Sequence, residues 1–339
     1  MAGTRAVARL GESAAWRAAH LAPRPLDVAG ARRGYASYRR FGGKEGATYG
    51  SPLGAIVVNL IVNHRRGLII GTVVVGTLVY TFGTDQAPVT GRRRLMIVPP
   101  AVEKQVGDMQ YQQLLQEFNG KLLHPSHPES RRVRRIVERL VKASPDLVGD
   151  GIDWQVHVVA DSSYPPNAFV MPGGKVFVFA SILPITANDD GLAAVLAHET
   201  AHQVARHSAE KMSSMPLIGI VGTLVYALTG GGMGVDFVRL GMELLLNRPA
   251  SRQMETEADY IGLMMMSRAC YDPHEAVHMW ERMYKTEQTH PVQFLSTHPA
   301  TQNRIAHIRE WMPEAEAKLE ASECATTARY ASAFGSMWT

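Results

Sequence analysis

A short motif of two histidines and a glutamate, His198-Glu199-Thr200-Ala201-His202, constrains this chain more than any other feature. It lies in a strongly helical segment from Leu192 to Met212, and residues four apart on a helix share one face. His198 and His202 can therefore present two imidazoles to one metal ion, with Glu199 beside them as a base. Zinc sites that hydrolyse peptide bonds use this arrangement.

The same three fixed positions also occur by chance on ordinary helices, so the motif alone does not establish a metal site. The apolar residues Leu192, Val195 and Leu196 precede the motif and predict that its helix is buried. Buried ionisable groups are costly unless they are paired or bound to a metal. The context therefore favours a metal site.

A third ligand is required, because catalytic zinc takes three protein ligands. The metzincin pattern would place Gly at 205 and His at 208, but the chain has Ala205 and Ser208, which excludes it. His207 follows His202 at about 140° further round a continuous helix. We interpret His207 as a surface histidine or as a neighbour of a ligand rather than as a ligand.

A later helical run, Glu255 to Ser267, supplies a candidate for the third ligand. Glu255 and Asp259 share a face, so Glu255 can bind the metal while Asp259 accepts the far N–H of a ligating histidine. Glu257 points elsewhere, and we expect its removal to change the metal content little. An acidic first turn that complements the helix dipole is the alternative explanation for these carboxylates.

The two motifs together, His198-Glu-x-x-His202 and Glu255-x-x-x-Asp259, resemble the gluzincin membrane metallopeptidases of the HtpX and CAAX prenyl protease type. The resemblance extends from about Gly91 to Cys324. It implies one zinc ion per chain, held by two histidines and a glutamate, in a peptidase that acts near a membrane.

A second segment, Asn167-Ala168-Phe169 before Pro172-Gly173-Gly174, is similar to the edge strand of that family. The resemblance implies that Asn167 and Ala168 hold the substrate backbone as an added β-strand.

A third segment, Ser296-Thr297-His298-Pro299 followed by Arg304, is similar to a C-terminal site motif of the family. The resemblance implies that His298 approaches the metal or the tetrahedral oxyanion and that Arg304 supports it. From the residues alone, a turn histidine before Pro299 is the better explanation of His298.

Three stretches look like the mitochondrial inner-membrane members of this family, whose activity overlaps that of the m-AAA protease: Thr90 to Arg94, Glu257 to Pro273 and Leu295 to Ile305. The resemblance implies a stress-activated zinc endopeptidase. Such an enzyme cleaves inner-membrane proteins on the intermembrane-space side in protein quality control. A non-proteolytic relative that acts as a scaffold or chaperone is the alternative, and the intact Glu199 argues against it.

The N-terminus predicts mitochondrial import independently of the motifs. Residues 1–47 hold nine Lys or Arg, eight of them Arg, and three Asp or Glu, which is typical of a transit peptide. We predict a transit peptide over 1–35, cleaved after Tyr35; a disordered basic tail is the alternative. Of the 35 basic and 31 acidic residues in the chain, 26 and 28 lie after residue 47, and they do not indicate nucleic-acid binding.

Gly67 to Gly83 is an uncharged, largely apolar run that just reaches the length needed to cross a bilayer. The cluster His64-Arg65-Arg66 before it predicts that residues 36–66 lie in the matrix and the rest in the intermembrane space. We therefore predict a transmembrane helix over 67–83, with a buried β-rich segment as the alternative. Arg92 to Arg94 either pair with lipid phosphates or fold into the catalytic domain.

For residues 84–324 we predict one zinc metallopeptidase domain, mainly α with a small β-sheet (α+β). Periodicity predicts strands and helices over these ranges: Ile152–Ala160, Asn167–Met171, Lys175–Ala180, Val133–Lys142 and Ala276–Lys285. Residues 216–246 form either a membrane-associated helical hairpin or a core hairpin. Residues 325–339 are expected to be a loosely ordered tail.

Cys270 and Cys324 are the only cysteines of the chain. Both fall in the part assigned to the intermembrane space, where a disulfide can form, and two unrelated thiols are the alternative. The expected partners are membrane-anchored protein substrates and the lipid bilayer. The sequence leaves open the substrate, the activating signal and whether the chain forms homo-oligomers.

Overall fold

The structure, a computed structural model, describes residues 63–149, 151–229, 236, 240, 250–298, 302–322 and 324. The transit peptide predicted over 1–35, nearly all of the segment 36–66 and the tail 325–339 lie outside the described residues. Most of the second half of the 216–246 stretch lies outside them as well.

The described part of the chain is mainly helical with two small sheets, which agrees with the predicted α+β class. The helices are α1 Arg65–Phe82, α2 Pro100–Glu117, α3 Pro128–Lys142, α4 Pro145–Val148, α5 Leu183–Thr186, α6 Asp189–Val204, α7 His207–Thr229, α8 Ala250–Arg268, α9 His274–Glu287, α10 Gln293–Thr297 and α11 Gln302–Ala321. The strands are β1 Thr84–Gln86, β2 Arg93–Leu95, β3 Gln155–Val159, β4 Ala168–Met171 and β5 Lys175–Phe179.

The larger sheet has the order β3-β5-β4, with β3 parallel and β4 antiparallel to β5. Every residue of β5 is buried, as expected for a central strand covered on both faces. One face packs on α3 and α6, while Tyr111 and Phe118 of α2 cover the other. The turn from β4 to β5 uses Gly173 and Gly174 at φ +88° and +81°, a region that glycine adopts without strain. The sheet thus presents β4 as an edge strand.

Helix α6 is buried along nearly its whole length, as its apolar sequence predicts. Asn188 caps its N-terminus, because the side-chain oxygen accepts a hydrogen bond from the Gly191 N–H at 2.7 Å. Helix α8 packs directly across α6 at Gly262, where a Cβ would lie 2.9 Å from the His198 backbone nitrogen. The small residue therefore lets the two helices approach closely at the level of the histidine motif.

The helical segment predicted from Leu192 to Met212 is divided in two, so its prediction as one helix is wrong. Helix α6 ends at Val204 and α7 begins at His207. Between them, Arg206 has φ 54°, a left-handed conformation that ends a helix. Its guanidinium is fixed by Glu103 at 2.7 Å and by the Val98 carbonyl at 3.1 Å. The break redirects the chain, and with it the side chain of His207.

Helix α1 occupies the run in which we predicted a transmembrane helix over 67–83, and many of its apolar side chains are exposed. In the described part of the chain, however, no helix is both long and apolar enough to cross a membrane. The hairpin β1–β2 follows α1 and folds into the domain, since Arg94 is buried and donates to the Ala205 carbonyl. Of the two alternatives for Arg92 to Arg94, pairing with lipid phosphates or folding into the catalytic domain, the structure shows the second for Arg92 and Arg94.

A disulfide joins Cys270 and Cys324, whose Cα atoms lie 5.6 Å apart. Cys270 follows the end of α8, and Cys324 follows the end of α11. The bond closes a loop of 54 residues that contains α9, α10 and α11. It therefore ties the C-terminal helix to the end of the helix that carries Glu255.

Loss of the disulfide should lower the free energy of unfolding, because the bond restricts the unfolded chain. The chain-entropy estimate for a loop of this length is up to about 4 kcal/mol. Cys270→Ser, Cys324→Ser and the double variant should lose equal amounts, measured by guanidinium unfolding. If the losses of the single variants add in the double variant, the bond is not the source of the stability.

Candidate metal centre

Helices α6 and α8 bring three donor groups to one point. The Nε2 atoms of His198 and His202 lie 3.1 Å apart. The Glu255 carboxylate lies 3.3 Å from Nε2 of His198 and 3.5 Å from Nε2 of His202. His198 and Glu255 are buried, and His202 keeps a small exposed fraction. The structure thus places together the three residues that the sequence motifs selected as ligands.

The donor set fits one zinc ion. Ligand atoms about 2.1 Å from zinc at tetrahedral angles are separated from each other by about 3.4 Å. The two histidine Nε2 atoms are 3.1 Å apart, Glu255 Oε2 lies 3.3 Å from that of His198 and Glu255 Oε1 lies 3.5 Å from that of His202, so all three distances are within about 0.3 Å of the zinc value. Two imidazoles and one carboxylate are also a ligand set of catalytic zinc sites, which keep one further position open.

Asp259 and Arg304 support His198 from behind. The Nδ1 atom of His198 lies 3.0 Å from Asp259 Oδ1, while Arg304 donates to both oxygens of Asp259 at 2.7 Å. The Arg304 guanidinium also stacks on the ring of Trp280, with Cζ 3.9 Å from the ring centroid. Burial raises the pKa of Asp259, but the charges and hydrogen bonds of Arg304 and His198 together outweigh burial and lower the pKa below its usual value. Asp259 therefore stays anionic and can accept the His198 N–H.

The carboxylates also set the ionisation of the ligands. Burial lowers the pKa of His198, but hydrogen bonds to Asp259 and Glu255 outweigh this effect and raise the pKa to about 9. Burial would raise the pKa of Glu255, yet the surrounding histidines His202, His198 and His298 lower it. These bonds favour the form of His198 in which both ring nitrogens carry a proton. A metal ion that binds Nε2 must displace the proton on that atom.

His298, just after α10, lies in the same cluster. Its Nδ1 atom is 2.9 Å from Glu255 Oε2 and 3.3 Å from His198 Nε2, and its Nε2 atom is 3.4 Å from Glu199 Oε1. Its ring stacks on Phe294 at 4.8 Å between centroids. One potential donor atom from each of the residues His198, His202, Glu255 and His298 lies within 4.8 Å of the others. The structure thus places His298 beside the metal position, where the family resemblance put it.

Glu199 lies next to the ligands without joining them. It is buried, and among the described residues its Oε1 atom has no hydrogen-bond partner. Burial raises the pKa of this carboxyl, while the nearby histidines and the backbone N–H of Val170 lower it, and the net effect is an increase. An unpartnered acceptor with a raised pKa is suited to take a proton from a water molecule.

The edge strand β4 faces this glutamate; Ala168 begins the strand and Asn167 directly precedes it. The Asn167 carbonyl accepts the Phe179 N–H at 3.0 Å, which fixes the start of β4 to β5. The Asn167 side chain accepts the Ala168 N–H at 3.0 Å. Because Val170 of the same strand contacts Glu199, the edge of the sheet runs directly past the metal position.

For three residues that touch the site, sequence reasoning left His207 open between the surface and a neighbour of a ligand, placed Glu257 away from the ligands and did not consider Trp280. His207 is buried, with its Nδ1 atom 2.7 Å from Nδ1 of His202, and Glu257 lies 3.1 Å from Nε2 of His207. Trp280 packs against both His198 and Arg304. A helical projection could not have found His207, because the helix break at Arg206 decides its direction. Glu257 does lie outside the ligand cluster, as predicted, but it contacts a residue that touches a ligand.

Comparison with known proteins gives related sequences for most of the chain. Residues 110–312 match peptidase family M48. The mitochondrial metalloendopeptidase OMA1 of Saccharomyces cerevisiae is 41% identical over 313 residues, which cover 89% of this chain and 89% of that protein. The protein of the same name from Schizosaccharomyces pombe is 44% identical over 265 residues, 77% of each. The human metalloendopeptidase OMA1 is 29% identical over 253 residues, 71% of this chain and 48% of that protein.

Metal content should follow the geometry of the cluster. Glu255→Ala removes a ligand and should lower bound zinc strongly. Asp259→Asn removes only the carboxylate behind His198 and should weaken zinc binding by about 10- to 100-fold. Elemental analysis and chelator competition on the purified variants measure both effects. A larger loss from Asp259→Asn than from Glu255→Ala would reverse the two roles.

Proposed function

The chain belongs to peptidase family M48, and on that premise we propose that this zinc metalloendopeptidase cleaves membrane-anchored proteins at the mitochondrial inner membrane. Its relatives from two yeasts carry the name mitochondrial metalloendopeptidase. The proposed catalysis rests mainly on the zinc-spaced cluster of His198, His202 and Glu255 beside Glu199, whose Oε1 atom accepts no hydrogen bond among the described residues.

His198, His202 and Glu255 would hold the zinc, which would supply Lewis-acid polarisation of the scissile carbonyl and a lowered pKa, about 7, for water at the site. Glu199 accepts the proton of the attacking water on Oε1 and returns it to the leaving amine. His298, with Nε2 3.4 Å from that oxygen, is placed to donate a hydrogen bond to the developing oxyanion. Arg304 is a positioning residue that acts through Asp259 on His198.

The substrate backbone is proposed to bind along β4 as an added strand. β4 is an edge of its sheet, so an extended peptide can add beside it, chiefly through the β4 carbonyl groups, because the N–H groups of Ala168 and Val170 already bond Asn167 and Glu199. Asn167 precedes this strand, Ala168 begins it, and Val170 brings it to Glu199. A peptide held there in an extended form presents a carbonyl to the metal position, and main-chain pairing would tolerate many substrate sequences.

The proposed localisation is the inner membrane, with the catalytic domain in the intermembrane space. The arginine-rich residues 1–47 have the composition of a transit peptide. The exposed apolar side chains of α1, Ile70, Val73 and Leu78 among them, suit contact with lipid, and the basic cluster at the start of α1 favours the matrix side for its N-terminus. The disulfide of Cys270 and Cys324 is compatible with an oxidising compartment. In that position the enzyme would serve protein quality control and stress response.

Glu199→Gln should bind zinc nearly as the unaltered protein does and lose proteolysis by about 100- to 10,000-fold, because the ligands remain and the base does not. Casein cleavage by the purified full chain measures the loss. A chelator should abolish the activity of the unaltered protein, and added zinc should restore it. Substantial cleavage by zinc-loaded Glu199→Gln would exclude Glu199 as the base and the mechanism with it.

The proposed localisation can be tested in isolated mitochondria. The protein should stay in the membrane pellet, and a C-terminal tag should become accessible to added proteinase only after the outer membrane is ruptured. A matrix protein treated in parallel must remain protected. Protection of the tag in the ruptured preparation would place the catalytic domain in the matrix and contradict the proposed orientation.

A further inference from the structure

The second zinc ligand, His202, has a hydrogen-bond system of its own behind it. Its Nε2 atom faces the ligand cluster, and its Nδ1 atom lies 2.7 Å from Nδ1 of His207. His207 Nε2 lies 3.1 Å from Glu257 Oε2. The side chains of His207 and Glu257 are each 2% exposed. Glu257, His207 and His202 therefore form a relay that is shielded from water and ends at the metal position.

The chemistry of a zinc ligand fixes where the protons in this relay lie. A neutral imidazole that binds metal through Nε2 carries its proton on Nδ1, so His202 donates to His207. Since His207 accepts on Nδ1, it must carry its own proton on Nε2, and it donates that proton to Glu257. The carboxylate of Glu257 thus selects the tautomer of His207, which in turn selects the tautomer of His202 that exposes Nε2 to the metal.

The outer end of the relay is fixed by the hairpin β1–β2. Arg92, in the loop of this hairpin, donates to Glu257 Oε2 from Nε at 3.1 Å and from Nη2 at 2.8 Å, and Thr90 donates to Glu257 Oε1. Arg92 also holds Glu210 through two bonds of 2.7 Å. Thr90 and Arg92 thus donate to both oxygens of Glu257 and hold its carboxylate in one orientation as an acceptor.

The two histidine ligands are supported in parallel ways. His198 is backed by a carboxylate, Asp259, which Arg304 holds. His202 is backed by the carboxylate of Glu257, which Arg92 holds, but one histidine is interposed. A carboxylate that accepts the far N–H of a ligating histidine orients the ring and raises its basicity. The interposed His207 transmits the same effect over one more ring.

We propose that His207 and Glu257 are positioning residues for the zinc ligand His202, and that the hairpin bearing Arg92 is thereby part of the metal site. This inference rests on the zinc site of the proposed function and adds to it. It replaces the expectation that loss of Glu257 leaves metal binding almost unchanged with the opposite prediction. A catalytic domain that begins after Leu95 lacks Arg92, and it should bind zinc less tightly although it keeps every ligand.

The first test compares two buried glutamates that share the same arginine. Glu257→Gln removes the charge that orients His207, whereas Glu210→Gln removes the other partner of Arg92 and leaves the relay in place. Zinc affinity of the full chain is measured by competition with a chelator, and the melting temperature of the zinc-free protein reports stability. Glu257→Gln should weaken zinc binding by about 10- to 100-fold, and Glu210→Gln by much less at a similar melting temperature. Equal zinc affinities of the two variants would overturn the proposal.

The second test replaces His207 by two side chains of nearly equal size. The amide of His207→Gln can accept from His202 and donate to Glu257, whereas the thioether of His207→Met is only a weak acceptor and cannot donate. Zinc affinity and the visible spectrum of the cobalt-substituted protein should be close to those of the unaltered chain for Gln and altered for Met. The same loss in both variants would assign His207 a packing role only. Zinc binding by the unaltered protein tests the metal site itself, so failure of the relay and failure of the site are distinguishable.

Discussion

The structure depends on one constraint, the burial of several ionisable groups within a helical core. Glu199 and His198 lie on α6 and Glu255, Glu257 and Asp259 on α8, all of them largely excluded from water. Each buried charge would be strongly destabilising without a partner. Two arginines from distant segments, Arg92 of the hairpin and Arg304 of α11, pair with the buried carboxylates. The buried histidines and Glu255 are arranged to bind zinc. The buried charges of the site are therefore neutralised only when the hairpin and α11 are packed in place.

Helix α8 serves this site with three carboxylates within five residues. Glu255 faces the metal position, Asp259 lies one turn later behind His198, and Glu257 points to the other side, where it contacts His207. The helical period makes this division of roles available, because alternate residues face different directions. Gly262 on the same helix permits the close approach to α6 that puts the carboxylates within reach of the histidines. The acidic cluster thus supports both histidine ligands in addition to supplying the third zinc ligand.

Local patterns predicted the elements well where one period was maintained. The predicted strands at Asn167–Met171 and Lys175–Ala180 and the helix at Ala276–Lys285 agree with the structure to within one or two residues. The prediction failed at the break in the segment Leu192 to Met212. Nothing in the composition there ends a helix, and the left-handed Arg206 is held by Glu103 and Val98, which are about a hundred residues earlier. The break between α6 and α7 was therefore decided by a tertiary contact and not by local helix propensity.

The sequence by itself indicated the chemistry of this protein: the spacing of His198, Glu199 and His202 on one buried helix favours a metal site with a base, and the spacing of Glu255 and Asp259 allows a third ligand and a carboxylate that supports His198. These facts follow from the helical period, which is local. Only the tertiary structure decided that Arg304 holds Asp259, that His298 stands beside the ligands and that His207 turns back to His202. Those contacts join residues far apart in the chain or across a helix break. Their geometry depends on how α6, α8, α11 and the hairpin pack together, and no local period encodes that packing.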